Sequence, residues 1–396
     1  MNFLKILLLM VIATMIFNNK AIANRDTIKV AGFQFDTIAT VPTTSVKNQY
    51  KSGTCWSFAT ASFVETEILR IAGTTVDVSD MYFVYYAYQN KADSYVRLHG
   101  LSNFSAGGQA HDVMDVIRKY GMLKEADYQA YVPGFDNHVH GELDNVLKGF
   151  VKDVVKNPSG KLSKAWKPAY TSLLNSYLGD ANTKLEEAKA LVSETKFNPD
   201  DYIELTSYMY KPYYEQIRLE VPDNWSFSNY YNIPLDEMME LMKSALKDGY
   251  SVCWDGDVSS NGFSLGKSLA MLPETKVENM QGSEQSKWQE MSKRELRKNM
   301  YSFKKPVPEV NVSEVLRQEA FDNYTATDDH LMHLTALLKD QNGTFYYLTK
   351  NSWADNSNEN GGYLNMSEAY LRMNTIAIMV HKDAISKDLK KKLGIK

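Results

Sequence analysis

Apolar residues recur at helical spacing in the first third of the chain. The stretch CWSFATASFVETEILRIAG, which begins at Cys55, predicts a helix that stops at Gly73. A second helix is predicted over residues 78–91, with Ser79 or Asp77 as its N-terminal cap. A third follows the Gly-Gly pair of FSAGGQAHDVMDVIRKYG and ends at the last glycine of that stretch. The first third of the chain is therefore expected to be mainly helical.

In the middle of the chain, apolar residues also recur at helical spacing, but the predicted helices have more polar faces. Residues from about 135 to 250 predict a mainly helical insertion, as in LDNVLKGFVKDVVK and PLDEMMELMKSALKDG. Residues 275–305 contain several Lys, Glu and Gln and few apolar residues, which indicates a surface excursion.

The end of the chain changes to the period of strands. HLMHLTALLKD and TFYYLTKNSW predict two strands around the turn at Asn342 and Gly343, and GGYLNM and TIAIMVHK predict two more. The apolar run in GYSVCWDGDV is also typical of a strand. Helices first and strands last, without strand–helix alternation, favour an α+β fold with an antiparallel sheet.

The composition is that of a globular protein of one or two domains: 396 residues, of which 44% are hydrophobic and 23% charged. The formal charge is −4, with Lys and Arg spread along the chain. This balance excludes nucleic-acid binding through bulk electrostatics.

The N-terminus predicts an export signal. Lys5 precedes the apolar run ILLLMVIATMIF, and small residues follow at Ala21 and Ala23, which is typical of a signal peptide over residues 1–23. An uncleaved membrane anchor is the alternative. No later stretch is apolar enough to cross a bilayer, so we expect one domain over 24–396 that is secreted or periplasmic, without stable membrane insertion after cleavage.

The two cysteines differ in their surroundings. Cys253 lies in the apolar run GYSVCWDGDV and is predicted to be a small buried side chain. Cys55 follows Gly53 and Thr54 at a predicted helix N-terminus, where a thiol pKa is lowered and a nucleophile is favoured. Gln49, six positions earlier, is a candidate donor to an oxyanion. A Cys55–Cys253 disulfide is the alternative for an exported chain.

A nucleophilic cysteine needs a base, and seven histidines are available. Only His330 and His333 precede a strand pair that delivers an amide, Asn351, as a possible orienting group. With an even-length turn at Asn342-Gly343, Asn351 shares a sheet face with His330 and not with His333. A single bulge would reverse that assignment, so His333 remains the alternative base.

These residues together resemble a known family. NQ…SGTCWSFA, the Ala106-Gly107-Gly108 loop, DDHLM and KNSW, in that order, look like a papain-like cysteine peptidase. The stretches RLHG, HGEL, PDNW, YNIPLDE and GYSVCWDGDVSSNGFS are similar to its bleomycin hydrolase and bacterial aminopeptidase C branch. The resemblance implies two lobes, a helical one with the nucleophile and an antiparallel β lobe with the base, plus a large helical insertion.

The resemblance also implies the catalytic roles. Cys55 is the nucleophile, and His330 is the base that later protonates the leaving amine. Asn351 orients the imidazole, Trp353 shields that contact, and Gln49 donates to the oxyanion. No metal or organic cofactor is implied, and the expected partners are peptides or unfolded proteins.

Gly107, Gly108 and Trp353 are the implied substrate-binding residues, and the two glycines are implied to let the substrate backbone approach closely. One departure from the family pattern is Ala354, which follows the tryptophan where the family usually has glycine. A second is the end of the chain, ISKDLKKKLGIK, which is too short for the arm whose terminal carboxylate binds the substrate amine in this branch. A third is the short segment before Cys55, which has no room for an inhibitory pro-segment.

The short C-terminus keeps several alternatives open. The branch implies an aminopeptidase, while an open cleft would give an endopeptidase. The resemblance to this branch also implies a homo-hexamer, and the shortened C-terminus argues against that assembly. A catalytically silent peptide-binding protein on the same scaffold, and a transfer reaction through the same thioester, are the remaining readings of the motif.

Overall fold

The computed structural model describes residues 30, 32–276, 280 and 292–395, and the predicted signal peptide lies outside them. Eleven α-helices are present in this part of the chain. They are α1 (Cys55–Ala72), α2 (Asp80–Arg97), α3 (Ala110–Tyr120), α4 (Gly141–Val155), α5 (Trp166–Leu178), α6 (Leu185–Thr195), α7 (Leu235–Lys247), α8 (Lys293–Met300), α9 (Glu314–Asp322), α10 (Glu368–Asn374) and α11 (Lys387–Leu393).

The strands belong to one mixed sheet. They are β1 (Phe35–Thr40), β2 (Tyr202–Thr206), β3 (Gln216–Arg218), β4 (Asn229–Asn232), β5 (Val252–Gly256), β6 (Phe263–Ser264), β7 (Leu269–Ala270), β8 (His330–Asp340), β9 (Phe345–Lys350), β10 (Tyr363–Ser367) and β11 (Thr375–His381). Their order is β3-β4-β2-β11-β5-β8-β9-β10-β7-β6, with β1 on β8. Most pairs are antiparallel, as the sequence predicts, and β2–β4 and β7–β10 are parallel.

Helix α1 is the buried centre of the molecule. Every residue from Trp56 to Ile68 is buried, so this stretch of the helix has no solvent face, and only the last turn is exposed. One hydrophobic core joins α1 to α2, α3 and the helices α4–α6, and it also includes Cys253 and Leu331 of the sheet. A second core lies on the other face of the sheet, under α7 and α11. The chain therefore forms a helical lobe and a β lobe that meet along α1.

The predicted ends of these helices agree closely with the structure. Gly73 caps α1 in the left-handed conformation, and the Ser79 side chain caps α2 by accepting a hydrogen bond from the Tyr82 amide. Helix α2 continues to Arg97, beyond the predicted end at residue 91.

The segment predicted as a mainly helical insertion contains both types of structure. Residues 141–195 form α4, α5 and α6, while the next part supplies β2, β3 and β4 to one edge of the sheet before α7 begins. Part of the predicted surface excursion at 275–305 lies outside the described residues. Its described part includes α8, which buries Leu296 and Met300.

The β8–β9 hairpin contains a bulge that decides which histidine faces Asn351. Next to the turn Lys339 pairs with Phe345, which leaves five residues between the two paired positions. The connection therefore has an odd number of residues, so the even-length turn assumed from the sequence is wrong, and the numbers of paired residues have an even sum. The register shifts between Leu334 and Ala336, and beyond it His333 faces Lys350, with an odd sum. The bulge thus restores the predicted parity, and His330 shares a face with Asn351.

The C-terminal helix α11 folds back onto the β lobe. Leu389 and Leu393 are buried in the core beneath α7, and Lys392 forms a 2.8 Å ion pair with Glu237 of α7. The chain end is therefore held by α7 up to residue 395. Among the described helices, none is both long enough and apolar enough to cross a membrane.

Ala354 occupies a backbone conformation that suits glycine. It has φ 69° and ψ 154°, a region that a Cβ atom makes costly by about 1–3 kcal/mol. Its amide donates to the Lys47 carbonyl at 3.1 Å and its carbonyl lies against Gly362, so both neighbours hold it in place. The departure from the family pattern therefore leaves the backbone in a glycine-like conformation, at the cost of strain.

Replacement of Ala354 by glycine is expected to raise the free energy of unfolding by about 1 kcal/mol, because relief of the strain exceeds the added chain entropy. Denaturant unfolding measures the change. The matched control is Ala190→Gly in α6, where the backbone is helical and the same replacement should cost about 0.5–1 kcal/mol. Equal destabilisation by both replacements would contradict strain at Ala354.

Candidate active site

The nucleophile lies where the two lobes meet. Cys55 is the first residue of α1 and is half-buried, and the amides of Ser57 and Phe58 close the first turn on the Thr54 carbonyl. The backbone amide of Leu331 donates a hydrogen bond to the Cys55 sulfur. Because Leu331 directly follows His330, this contact brings the start of β8 against the nucleophile.

The amide of Asn351 fixes the protonation of His330. Asn351 Oδ1 lies 2.8 Å from His330 Nε2 and also accepts the backbone N–H of Ser352 at 2.8 Å. A backbone N–H can only donate, so the atom that it contacts must be the oxygen of the Asn351 amide. His330 Nε2 must then carry the proton. In the neutral ring Nδ1 keeps its lone pair and can accept the thiol proton.

Gln49 is oriented by the same serine. The Ser352 hydroxyl donates to Gln49 Oε1 at 2.6 Å, and the Gln49 backbone amide donates to the Ser352 carbonyl at 2.8 Å. The acceptor end of the Gln49 side chain is thus engaged, which leaves its NH₂ group as the donor end. Ser352 was not predicted from the sequence, and KNSW gave no sign that its serine would join the two halves of the site.

Trp353 covers the base. Its ring stacks on the His330 ring at a centroid distance of 4.7 Å and an angle of 26°. This contact excludes water from one face of the His330–Asn351 pair, which is the shielding role that the resemblance implied. The Trp353 contact is thus with the base.

The two glycines are held beside Cys55 by crowded surroundings. A Cβ atom on Gly107 would lie 1.8 Å from Asp223 Oδ2, and one on Gly108 would lie 2.6 Å from Asp112 Oδ2. The Trp56 indole donates to the Ala106 carbonyl at 2.9 Å, which ties this loop to the first turn of α1. The loop therefore requires glycine for packing, whatever it binds.

Burial favours the neutral forms of both reacting groups. It raises the pKa of the Cys55 thiol to about 12 and lowers the pKa of the His330 imidazole to about 4, because each charged form loses its hydration. The Leu331 amide opposes the first shift and Asn351 opposes the second. The lowered thiol pKa expected from a helix N-terminus is thus outweighed by burial, which the sequence pattern does not show.

The alternatives from the sequence lie elsewhere. His333 Nδ1 lies 3.0 Å from the Ser62 hydroxyl, seven residues along α1 from Cys55 and about 10 Å away by the helix rise. It therefore does not share the site with Asn351. Cys253 is buried against Thr60, and both cysteines are free thiols.

The arrangement supplies the three elements of acyl transfer: a thiol nucleophile, a base with a free ring nitrogen, and a side-chain amide donor. Among the described residues, no group of three or more His, Cys, Asp or Glu is arranged to hold a metal ion. Because these groups perform acyl transfer, the site can be tested by acylation of Cys55 with an activated ester.

Ser352→Ala is expected to lower the rate of Cys55 acylation by a p-nitrophenyl ester by about tenfold, because Gln49 loses the hydrogen bond that orients it. The His330–Asn351 contact should remain, since it uses the Ser352 backbone. The matched control is Ser357→Ala, which removes the hydroxyl that bonds the Ala354 carbonyl. Equal rates for wild type and Ser352→Ala would contradict the role given to the hydroxyl.

The pH profile of acylation is expected to have a broad plateau. Only the state with one proton shared between Cys55 and His330 reacts. Because the His330 pKa is lowered, the acidic limb should lie below 6.5, where the ring gains its second proton. Because the Cys55 pKa is raised, the alkaline limb should lie above 9. Chromatographic assay of released phenol measures both limbs, and an acidic limb at or above 6.5 would contradict the effect of burial.

A solved structure shares this fold. A PepW structure from Lactobacillus rhamnosis HN001 superimposes with a TM-score of 0.65 at 18% identity, over 91% of this chain and 84% of that one. Bromelain from Ananas comosus, in complex with the E64 inhibitor, gives a TM-score of 0.37 at 13% identity over 85% and 92% of the two chains. No curated protein matches the chain in sequence.

Two family models match parts of the chain that together carry the site. The papain family cysteine protease model matches residues 33–171, which include Gln49, Cys55 and the glycine loop. The Peptidase C1-like family model matches residues 276–395, which include His330 and Asn351. With the papain-like arrangement of helices and mixed sheet, these matches show papain-family and Peptidase C1-like domains in this chain, over residues 33–171 and 276–395.

Proposed function

We propose that this protein is an exported cysteine peptidase that removes residues from the free N-terminus of peptides through a Cys55 thioester. The observation that carries peptide hydrolysis is the position of Asn351 Oδ1 between His330 Nε2 and the Ser352 amide. That contact leaves His330 Nδ1 as a base in the neutral ring. The amide of Leu331, the next residue, lies at the Cys55 sulfur, which puts this base at the start of the strand that reaches the nucleophile.

The proton path follows from this tautomer. His330 Nδ1 takes the proton of the Cys55 thiol as the sulfur attacks the peptide carbonyl carbon. The Gln49 NH₂ group donates to the oxygen that becomes negative. His330 then gives its proton to the leaving nitrogen, the C–N bond breaks, and a thioester remains on Cys55. Water, deprotonated by His330, hydrolyses the thioester and restores the thiol.

The similarity of the chain to the bleomycin hydrolase and aminopeptidase C branch supports action at a free N-terminus. The specific observation in favour of the second candidate, an endopeptidase, is the path of α11. Its buried leucines and its ion pair with Glu237 hold the last described residues against α7. Residues 387–395 therefore pack against α7 and the core of the β lobe, and a different group would be needed to select a free N-terminus.

Export is proposed from the N-terminal sequence, with the secreted or periplasmic space as the destination. Peptides and unfolded proteins are the proposed substrates. A silent binding protein on the same scaffold finds little support, because nucleophile, base, orienting amide and oxyanion donor are all in place. Reaction of Cys55 with a thiol-directed epoxide would separate an active site from a silent one.

The test uses two fluorogenic peptides of one sequence, one with a free N-terminus and one acetylated, with a thiol reductant present. An aminopeptidase is expected to cleave the free peptide at least about tenfold faster, because only that peptide offers an ammonium group. Cleavage of both at similar rates would establish the endopeptidase instead.

Cys55→Ala is the control for chemistry. It is expected to fold and to lose turnover of both peptides, since the nucleophile is absent. Hydrolysis by Cys55→Ala at the wild-type rate would contradict the assigned nucleophile. The Cys253→Ala variant is the matched control, because it removes the other thiol from a position where it contacts only the interior face of α1.

A further inference from the structure

A buried carboxyl group that accepts no hydrogen bond from an amide, hydroxyl or cationic donor among the described residues lies next to the nucleophile. Asp255 is 3% exposed, and the group within hydrogen-bonding reach of it is another carboxyl group, that of Asp328. It faces Leu331 across the β5–β8 pair, and the Leu331 amide contacts the Cys55 sulfur. A buried carboxylate usually accepts several hydrogen bonds, so this one requires an explanation.

Asp255 points to the boundary between the lobes. Alternation along β5 puts it on the same face as Cys253, whose sulfur lies 3.5 Å from Thr60 of α1. The carboxyl group of Asp328, two residues before His330, lies within hydrogen-bonding reach of Asp255. The pair therefore lies beside the base as well as beside the nucleophile.

A third carboxylate comes from the helical side. Asp223 follows the insertion strand β3 in PDNW, and its Oδ1 accepts from Asn103 Nδ2 at 2.8 Å. Its Oδ2 lies against Gly107. Gln109, which directly follows the glycine loop, contacts Asp328, because its Nε2 donates to Asp328 Oδ2 at 2.8 Å. Asp223 and Asp328 are half-buried, so they flank the glycine loop with Asp255 beneath them.

Asp255 lies among other carboxylates. The charges that act most strongly on it are those of Asp328, Asp223 and Glu204. Lys91 lowers the pKa of Asp223 and so compensates part of its charge, and its ammonium group also donates to the carbonyls of Ser105 and Gly107. The negative charge that remains next to an active cysteine is costly, and a cationic ligand would offset it.

We infer that Asp255, Asp328 and Asp223 form an acidic subsite that binds a cationic group of the substrate beside the scissile bond. The cation is an ammonium or guanidinium group, which matches the several carboxylate oxygens presented together. It comes either from the free N-terminus of the peptide or from a basic side chain. The inference rests on the proposed peptidase function and names the class of substrate that the site selects.

Burial supports the same conclusion from electrostatics. It raises the pKa of Asp255, and the neighbouring carboxylate of Asp328 raises it further. Burial likewise raises the pKa of Asp328, to about 7. The pair thus retains a proton in the empty site near neutral pH. An ammonium group that binds at the half-buried carboxyl groups of Asp223 and Asp328 can compensate the same charge that the proton compensates in the empty site.

The experiment compares matched substrates and matched variants. One pair of fluorogenic peptides differs only in a free or acetylated N-terminus. The second pair is acetylated and differs only in lysine or norleucine at the position before the cleaved residue. Values of kcat/KM are measured for wild type, Asp255→Asn and Asp328→Asn, each of which keeps the side-chain volume. The control is Asp36→Asn, which removes a carboxylate from the exposed face of β1.

Wild type should prefer the cationic member of one pair, and Asp255→Asn should reduce that preference by at least about tenfold. The preference is the ratio of kcat/KM for the cationic peptide to that for its neutral partner, so a change in Cys55 reactivity that affects both peptides cancels. Asp36→Asn should leave this ratio unchanged. Loss of the preference in the first pair identifies the N-terminal ammonium, and loss in the second identifies a basic side chain. Absence of any preference in wild type, or its survival in both Asn variants, would overturn the subsite.

Binding to Cys55→Ala separates this inference from the proposed function. Calorimetric titration with the same peptides should show tighter binding of the cationic peptide, which is lost in Cys55→Ala/Asp255→Asn. Selective binding without turnover in wild type would sink the peptidase and leave the subsite standing. Turnover without selective binding would do the reverse.

Discussion

The burial of α1 from Trp56 to Ile68 is the constraint on which the rest of the structure depends. Polar side chains in this buried stretch must be satisfied internally. Glu65 accepts the Val78 amide and pairs with Lys47, while Glu67 accepts from the Tyr202 hydroxyl. These contacts tie the helix to the segments before and after it and to the sheet. Cys55 is therefore held by the core of both lobes, and no flexible loop sets its position.

Ser352 of the β lobe joins the groups of the site that come from the two lobes. Its backbone amide fixes the oxygen of Asn351, and its hydroxyl fixes the oxygen of Gln49. The base and the oxyanion donor are thus oriented by two groups of the same residue. Since Gln49 precedes α1 and Asn351 follows β9, the bonds of Ser352 also hold the two lobes together at the cleft. Catalytic geometry and lobe packing share these contacts.

Local periodicity and caps were sufficient to predict the parts of the fold that carry the site. α1, the Ser79 cap and the β8–β9 hairpin follow from spacing and turn residues, because these signals act over a few positions. The three short strands β2, β3 and β4 escaped prediction, since strands of three to five residues at a sheet edge are stabilised by their partners more than by their own pattern. The bulge before Ala336 left no signal either, although it decides which histidine faces Asn351.

The site residues that the sequence did not reveal are those whose role depends on distant charges. Asp255 lies in a strand pattern that also fits a plain core strand, and only the fold brings Asp328 and Asp223 beside it. These three carboxylates also raise the pKa of the Cys55 thiol, although their effect is smaller than that of burial. A cation bound among them cancels part of that negative potential, so the thiolate becomes less costly once the correct substrate is in place. Substrate selection and activation of the nucleophile then arise from the same group of charges.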